Sequence, residues 1–328
     1  MSTHRVDAAN RSLAPKGVRD RHHPEHVAAI RPLILAAVAL AGNGLLAGAL
    51  AASATGTATS SVPDATHLER VRACVYDVSC TRLLVAAHRM GFKGPFENTL
   101  WALNQNSGKT TDLLEFSVRE TWDGRPIVIH DDTLDRTTNG SGRVRWHTLA
   151  QIHQLRIKGM ETERIPTLEE VLDAARGRVF LIVSVKSASV LTVWKAIKSQ
   201  GLARQVILFL YKPRGQSREL NQLLAEGEDI LFMPRLHKGE SLDALIDLFY
   251  RPPQFVHIDQ ATLTHDTLAG LARREIRAYM QPARHHRRAA AARAGTVGQA
   301  RLLLPVRPSS PDIRGAPGCQ VTSPPAST

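Results

Sequence analysis

Eight short apolar runs alternate with amphipathic stretches between residues 82 and 280, and this alternation constrains the fold more than any other feature. The runs are rich in β-branched and aromatic residues, so they predict strands. They lie at 83–87, 113–118, 126–130, 179–185, 205–210, 229–233, 254–258 and 276–280. Strand–helix alternation favours a parallel α/β sheet, and the number of units favours a closed barrel over an open sheet.

Amphipathic segments with helical spacing lie between several of these runs, at 167–176, 190–200 and 241–250. Thr167 is followed three residues later by Glu170, which is a capping box and predicts the start of a helix. In α/β barrels the chemistry sits where strands end and loops begin. The polar residues at such positions here are His88, Ser117, His130 and Lys186.

Residues 33–52 are apolar except for Asn43 and three glycines. Basic residues precede this stretch and small residues follow it, as in an export signal. A helix of this length would also reach across the roughly 30 Å hydrocarbon layer, so an uncleaved membrane anchor is the alternative, and a buried core helix is a third. We therefore expect the protein to be exported, periplasmic or extracellular, or anchored in the membrane by residues 33–52.

Three cysteines occur, at 74, 80 and 319, and none forms a CxxC pair of the kind used in zinc sites. Export would permit Cys74 and Cys80 to form a disulfide, because disulfides persist in oxidising compartments. Two separate buried thiols are the alternative that the sequence leaves open.

The formal net charge of +12 is concentrated at the two ends of the chain. Residues 1–31 carry six basic and three acidic residues, and 281–328 carry seven arginines against Asp312 alone. The remainder is nearly balanced, so the charge does not indicate a nucleic-acid partner. The C-terminal segment is rich in Arg, Ala, Pro, Gly and Ser, which predicts disorder or a shifted reading frame. The expected divisions are a basic polar lead at 1–32, a signal peptide or anchor at 33–54, a linker at 55–80, a barrel at 81–280 and the tail at 281–328.

Four segments carry a family resemblance when they are taken in order. They are AAHRMGFKGPFENTLWAL (86–103), LLEFSVRETWDGRPIVIHDDTLDRTTNGSG (113–142), IPTLEEVL (165–172) and FLIVSVKS (180–187). Together they resemble the glycerophosphodiester phosphodiesterase family, within the phosphatidylinositol phospholipase C-like phosphodiesterase superfamily. The resemblance implies a TIM (β/α) barrel that hydrolyses glycerophosphodiesters to glycerol phosphate and an alcohol, with calcium or magnesium as a divalent cation. It implies a small-molecule partner, and a membrane contact only through an N-terminal anchor.

The same resemblance assigns roles to individual residues. Phosphodiester hydrolysis needs a base, an acid and positive charge on the phosphoryl oxygens. His88 and His130 would be the acid–base pair, and the attacking group would be the substrate's own neighbouring hydroxyl. Arg89 and Lys186 would bind the phosphate. Glu115 would bind the cation.

Three further residues take supporting roles under the resemblance. Glu97 would orient the cation or the neighbouring arginine, and is therefore a second candidate ligand. Asp131 and Arg136 are expected to brace the loop that carries His130.

The chain departs from the family pattern at the cation site. Ser117 and Ser184 occupy positions where the family has carboxylate ligands, which reduces three carboxylates to one. We therefore expect weakened cation binding, and the alternative function is an impaired member that only binds phosphodiesters. Met90 replaces a glycine, and we expect Gly91 to take over that turn. No final strand motif follows Tyr279, so the barrel is expected to be incomplete at its C-terminus.

Overall fold

A computed structural model describes residues 65–107 and 111–280, together with the backbone of a strand at 300–303. The expected lead, the apolar segment 33–54, Cys319 and the rest of the tail lie outside these residues. Within the described part, no helix is both long enough and apolar enough to cross a membrane.

Nine strands and eight α-helices make up the described structure. The strands are β1 (Leu84–Ala87), β2 (Leu113–Glu120), β3 (Pro126–Val128), β4 (Phe180–Val185), β5 (Val206–Leu210), β6 (Phe232–Pro234), β7 (Phe255–Ile258), β8 (Arg277–Met280) and β9 (Ala300–Leu303). The helices are α1 (Ala65–Tyr76), α2 (Leu100–Asn106), α3 (Leu149–Ile152), α4 (Leu168–Ala175), α5 (Val190–Ser199), α6 (Pro213–Ala225), α7 (Leu242–Ile246) and α8 (His265–Arg273). Each of the eight predicted runs overlaps one of β1 to β8, and the Thr167–Glu170 capping box is present at the start of α4.

The sheet has the order β6-β5-β4-β2-β1-β9-β8-β7. Its two ends are linked by a parallel bridge between Arg235 and His257, and the Leu236 amide donates to the His257 carbonyl at 2.9 Å. The sheet therefore curls back on itself as a TIM barrel does. The expected incompleteness takes a specific form, because antiparallel β9 lies between β8 and β1 where a (β/α) barrel has a parallel strand. The sequence did not predict β9.

Alternation along the strands separates an inner from an outer apolar layer. Leu113, Ile182 and Phe209 pack in the barrel interior, and their strand neighbours Leu114 and Val183 pack against the surrounding helices. On β2 and β4 this parity places residues 115, 117 and 184 on the interior side. These positions therefore face the axis of the barrel near the carboxyl ends of the strands.

Helix α1 covers the amino-terminal end of the barrel. Leu68 and Val71 pack with Leu84 and Phe255, which begin their strands. The buried guanidinium of Arg277 donates to the carbonyls of Cys74, at 2.7 Å, and Val75, and burial lowers its pKa to about 10. The part of the predicted 55–80 linker that lies in α1 is therefore a packed helix, because α1 presents an apolar face that the barrel buries.

The open question about the first two cysteines is answered by the structure. Cys74 and Cys80 form a disulfide, with their Cα atoms 5.2 Å apart. The bond joins the end of α1 to the segment that leads into β1.

Candidate active site

His88 and His130 meet at the carboxyl-terminal mouth of the barrel. His88 directly follows β1, and the segment after β3 carries His130. Their ring centroids are 6.4 Å apart, and the rings are nearly perpendicular. The Nε2 atom of His88 lies 4.0 Å from Oε1 of Glu115, a carboxylate that is only 2% exposed. The two residues predicted as an acid–base pair are therefore brought together.

The turn after His88 has an unusual backbone. Arg89, Met90 and Gly91 have φ values of 54°, 60° and 91°, all in the left-handed region. Gly91 does adopt a left-handed conformation in this turn, but it does not replace Met90, which adopts one as well. A left-handed residue costs roughly 1–2 kcal/mol, whereas full burial of a methionine side chain contributes about 1.5–3 kcal/mol. The Met90 side chain is completely buried, and this burial offsets the strain.

The hydrogen bonds of His130 define its tautomer. Nε2 lies 3.0 Å from Nη2 of Arg89, and Nδ1 lies 2.8 Å from Oδ1 of Asp131. A guanidinium can only donate, so Nε2 accepts and Nδ1 carries the proton that it donates to Asp131. Burial lowers the pKa of His130, and the charges of Arg89 and Lys186 lower it further, against the opposing effect of Asp131. The ring is therefore neutral, with its Nε2 lone pair accepting from Arg89.

Glu97 joins two arginines beside this histidine. Nη1 of Arg89 donates to both Glu97 oxygens at 3.0 Å, and Nη2 of Arg136 donates to Oε1 at 2.6 Å. The same Arg136 donates through Nε to Oδ2 of Asp131 at 2.6 Å. Five residues thus form a closed chain of contacts, which we call the arginine ring: Arg89, Glu97, Arg136, Asp131 and His130.

The arginine ring explains the supporting residues. Burial raises the pKa of Asp131, but hydrogen bonds from Arg136 and His130 outweigh this effect and hold the pKa well below its ordinary value. Both oxygens of Glu97 accept hydrogen bonds from arginines, and one of these arginines is Arg89, which it was predicted to orient. Asp131 and Arg136 brace the His130 loop as expected.

A separate apolar cluster supports the His130 loop from below. Its buried members are Ile127, Ile129, Leu134, Val144, Ile152, Ile157 and Ile165. The cluster lies on either side of His130 in sequence, so it holds the loop independently of the main barrel core. This fixes the position of the imidazole before any ligand binds.

The predicted cation position contains one carboxylate and two hydroxyls. Ser117 and Ser184 are register partners on adjacent strands and are almost fully buried. Glu115 accepts a hydrogen bond from the Tyr279 hydroxyl at 2.9 Å. In the part of the chain that the structure describes, no three His, Cys, Asp or Glu side chains are grouped as metal ligands. These residues do not fit a calcium or magnesium site, because such sites depend on several charged oxygens.

Lys186 is buried at the end of β4, as predicted, but its surroundings were not foreseen. Its Nζ lies 3.4 Å from the ring centroid of Tyr211, and the guanidinium of Arg235 lies 5.0 Å from the same ring. Arg235 also pairs with Asp259 at 3.3 Å. Tyr211 and Arg235 directly follow β5 and β6, so the strand-end rule could have found them.

Comparison with known proteins gives a consistent assignment. Residues 86–206 match the sequence model of the glycerophosphoryl diester phosphodiesterase family. This range contains both histidines, the whole arginine ring and Lys186.

Several curated proteins are similar over part of their length. A glycerophosphodiester phosphodiesterase of Caldanaerobacter subterraneus is 40% identical over 139 residues, which are 39% of this chain and 57% of that protein. One from Bacillus altitudinis is 28% identical over 192 residues, covering 57% of this chain and 76% of that protein. The chain spans about half the length of the first curated relatives it matches, 57% and 45% for two of them.

Solved structures show the same fold. A glycerophosphoryl diester phosphodiesterase from Parabacteroides distasonis superposes with a TM-score of 0.52 and 21% identity, over 64% of this chain and 75% of that one. An Oleispira antarctica phosphodiesterase in complex with the product sn-glycerol-3-phosphate gives 0.50 and 22%, over 60% and 83%. At this identity the likeness establishes the barrel fold.

Proposed function

Because residues 86–206 match the sequence model of the glycerophosphoryl diester phosphodiesterase family, we propose that the chain belongs to this family and hydrolyses glycerophosphodiesters to glycerol phosphate and an alcohol. The observation that carries the proposal is the state of His130. Burial and the charge of Arg89 lower the pKa of this ring and hold it neutral, while Asp131 accepts from Nδ1 and so leaves Nε2 as the acceptor, across the mouth from His88. A product complex of the Oleispira antarctica phosphodiesterase supports the substrate class.

In the proposed reaction, the two histidines exchange one proton in each step. When Arg89 donates to the phosphate instead of to His130, Nε2 of His130 takes the proton of the glycerol hydroxyl next to the phosphate, and that oxygen forms a bond to phosphorus. The bond from phosphorus to the alcohol oxygen breaks, and protonated His88 gives its proton to the departing oxygen. Glu115, 4.0 Å from His88, stabilises positive charge on that ring before the step.

A second step regenerates the enzyme. Water attacks the cyclic phosphate, with neutral His88 now accepting its proton and His130 returning a proton to the glycerol oxygen. The products are glycerol phosphate and free enzyme, and no protein nucleophile is needed. Neutral His88 and protonated His130 are thus the states left by the first step, so the atoms and protons balance.

Arg89 and Lys186 are proposed to bind the phosphate. Arg89 is held by Glu97, and Lys186 is nearly buried against the Tyr211 ring, so both cations are oriented before the substrate enters. A calcium or magnesium ion would have only the Glu115 carboxylate for a charged ligand, so we propose that cation binding is weak. The second candidate function, phosphodiester binding without turnover, rests on the serines at 117 and 184.

We propose that the protein is exported, or anchored in the membrane by residues 33–52. The Cys74–Cys80 disulfide supports this, because disulfides form and persist in oxidising compartments. The proposed partner is a small glycerophosphodiester, with no nucleic acid and no membrane contact other than the anchor.

The direct test follows glycerol phosphate release from glycerophosphocholine by the full chain, with EDTA and with added calcium or magnesium. We expect turnover that is lost in His88→Ala and in His130→Ala. Thermal unfolding confirms that each variant is folded. Turnover that persists in the double variant would overturn the acid–base assignment. A folded wild-type chain that binds glycerophosphocholine without releasing product would favour the second candidate function.

A further inference from the structure

The two serines change the kind of partner that the barrel mouth can bind. A carboxylate can only accept hydrogen bonds, so it meets a phosphate only through a bridging cation. A serine hydroxyl can donate to a phosphate oxygen directly. Three carboxylates around a divalent cation leave one unit of negative charge, and Glu115 alone leaves the same charge. Replacing two acids by Ser117 and Ser184 therefore offsets the loss of the cation, and the net charge of the site is unchanged.

Several buried donor atoms around these serines have no hydrogen-bond partner within the described residues. They are Oγ of Ser184, Nδ2 of Asn98 and Nε of Arg89. A buried donor that stays unpaired costs about 1–3 kcal/mol of stability. A group of such donors therefore indicates a site where a ligand accepts their hydrogen bonds. Ser184 is 0% exposed and Asn98 is 3% exposed.

Backbone contacts place these donors together. The Asn98 amide donates to the Arg89 carbonyl at 3.3 Å, and Oδ1 of Asn98 accepts from the Ser117 amide at 3.2 Å. Ser117 is in turn the register partner of Ser184. The amide orientation of Asn98 follows, because only Oδ1 can meet the Ser117 N–H group, which leaves Nδ2 available to donate. We call Asn98, Ser117 and Ser184 the donor floor.

Both oxygens of Glu115 already have protein groups beside them. The Tyr279 hydroxyl donates to its Oε2, and His88 lies 4.0 Å from its Oε1. The Glu115 carboxylate thus interacts with the side of the mouth that carries His88. The donor floor beside it is left to bind an anion.

We propose that the donor floor binds the phosphoryl oxygens of the substrate directly, without a bridging divalent cation. This inference rests on the proposed function only in taking a phosphate ester as the ligand. Lys186, which lies two residues after Ser184 and directly follows β4, supplies the positive charge that a cation would otherwise bring.

The test measures the affinity of the full chain for sn-glycerol 3-phosphate by calorimetry, in EDTA and in calcium. We expect the wild-type affinity to be the same in both. The S117A/S184A double variant should bind about tenfold more weakly in both conditions, because it loses two donors. The S117D/S184E double variant should lose binding in EDTA and regain it with calcium. Ser199→Ala, whose hydroxyl bonds to the Ala196 carbonyl on α5 at 2.9 Å, is the matched control and should bind as wild type.

Each result separates this inference from the proposed function. Wild-type binding that needs calcium, or an unchanged affinity in the folded S117A/S184A variant, would overturn the inference. If binding and hydrolysis both require calcium, the inference of direct phosphate binding is overturned, but the proposed hydrolytic function stands. Cation-independent binding without turnover would support the donor floor and overturn the proposed hydrolysis.

Discussion

The arginine ring and the donor floor lie side by side at the same mouth, and they differ in how their polar atoms are satisfied. All four oxygens of Glu97 and Asp131 accept hydrogen bonds in the ring. In the floor, Ser184 Oγ and Asn98 Nδ2 have no partner within the described residues. The ring is therefore organised before a ligand arrives, whereas the floor is completed by one. One side of the mouth contributes rigidity, and the other contributes affinity.

The most damaging change to the ring is expected to be Asp131→Asn. An amide at this position can donate to Nδ1 of His130, which moves the imidazole proton to Nε2, where it faces the Arg89 guanidinium. We expect turnover to fall by about 10²- to 10³-fold, in the range of general-base effects. Steady-state kinetics measure this loss. A variant with unchanged kcat would show that Asp131 does not set the tautomer.

Glu97→Gln should lower stability rather than turnover alone. It leaves Arg89 and Arg136 facing an amide, and removing one partner of a buried ion pair is strongly destabilising. Because the Arg136 side chain is 39% exposed, we expect a smaller loss in the free energy of unfolding, about 2–3 kcal/mol. Urea unfolding measures it. A loss below about 0.5 kcal/mol, the usual range for surface changes, would mean that the ring is not a stabilising element.

The ring also predicts a pH response. The pKa of His130 is lowered, so its neutral form persists below the ordinary value of about 6.5. The acid limb of kcat/KM should therefore lie below about pH 6.5. The unfolded chain takes up this proton at a higher pH than the folded chain does. The contribution of His130 to stability is thus present above about pH 6.5 and is lost as the pH falls through that value toward the folded pKa. NMR titration of the His130 ring, assigned by its absence in His130→Asn, provides the measurement, and a raised pKa would contradict the prediction.

Ser184→Ala gives the smallest expected effect and the sharpest contrast with Glu97→Gln. The hydroxyl removed is buried and unpartnered within the described residues, so its loss relieves an unsatisfied group. We expect the free energy of unfolding without ligand to stay within about 0.5 kcal/mol of wild type, or to rise by up to about 1 kcal/mol. A loss as large as that of Glu97→Gln would erase the distinction between the two regions.

The parts of this site that the sequence predicted are those fixed by local pattern. Buried strands are short apolar runs, so the residues that follow them, such as His88 and Lys186, could be located without coordinates. The contact between Arg136 and Glu97 spans 39 residues, and no local pattern encodes which acid an arginine will meet.

The features that the sequence did not predict depend, like this contact, on residues far apart in the chain. β9 pairs Leu303 with Leu84 across most of the barrel sequence, and its four residues carry no strand pattern of their own. Helix α1 was taken for linker because its apolar face has meaning only against the barrel end. Met90 shares the left-handed turn with Gly91, and the burial of its side chain that offsets the strain is a tertiary effect, which no local pattern shows.

Helix α1 also determines which part of the chain can be transferred to another protein and still fold. The family-matched range 86–206 contains the site but excludes both α1 and Arg277, which close the amino-terminal end of the barrel. A fusion or domain graft built on that range would open the apolar interior to water, including Phe180 and Ile182. A fragment that keeps the site folded must begin at Ala65 and extend through β9, because α1 covers the amino-terminal end of the barrel and β9 joins β8 to β1.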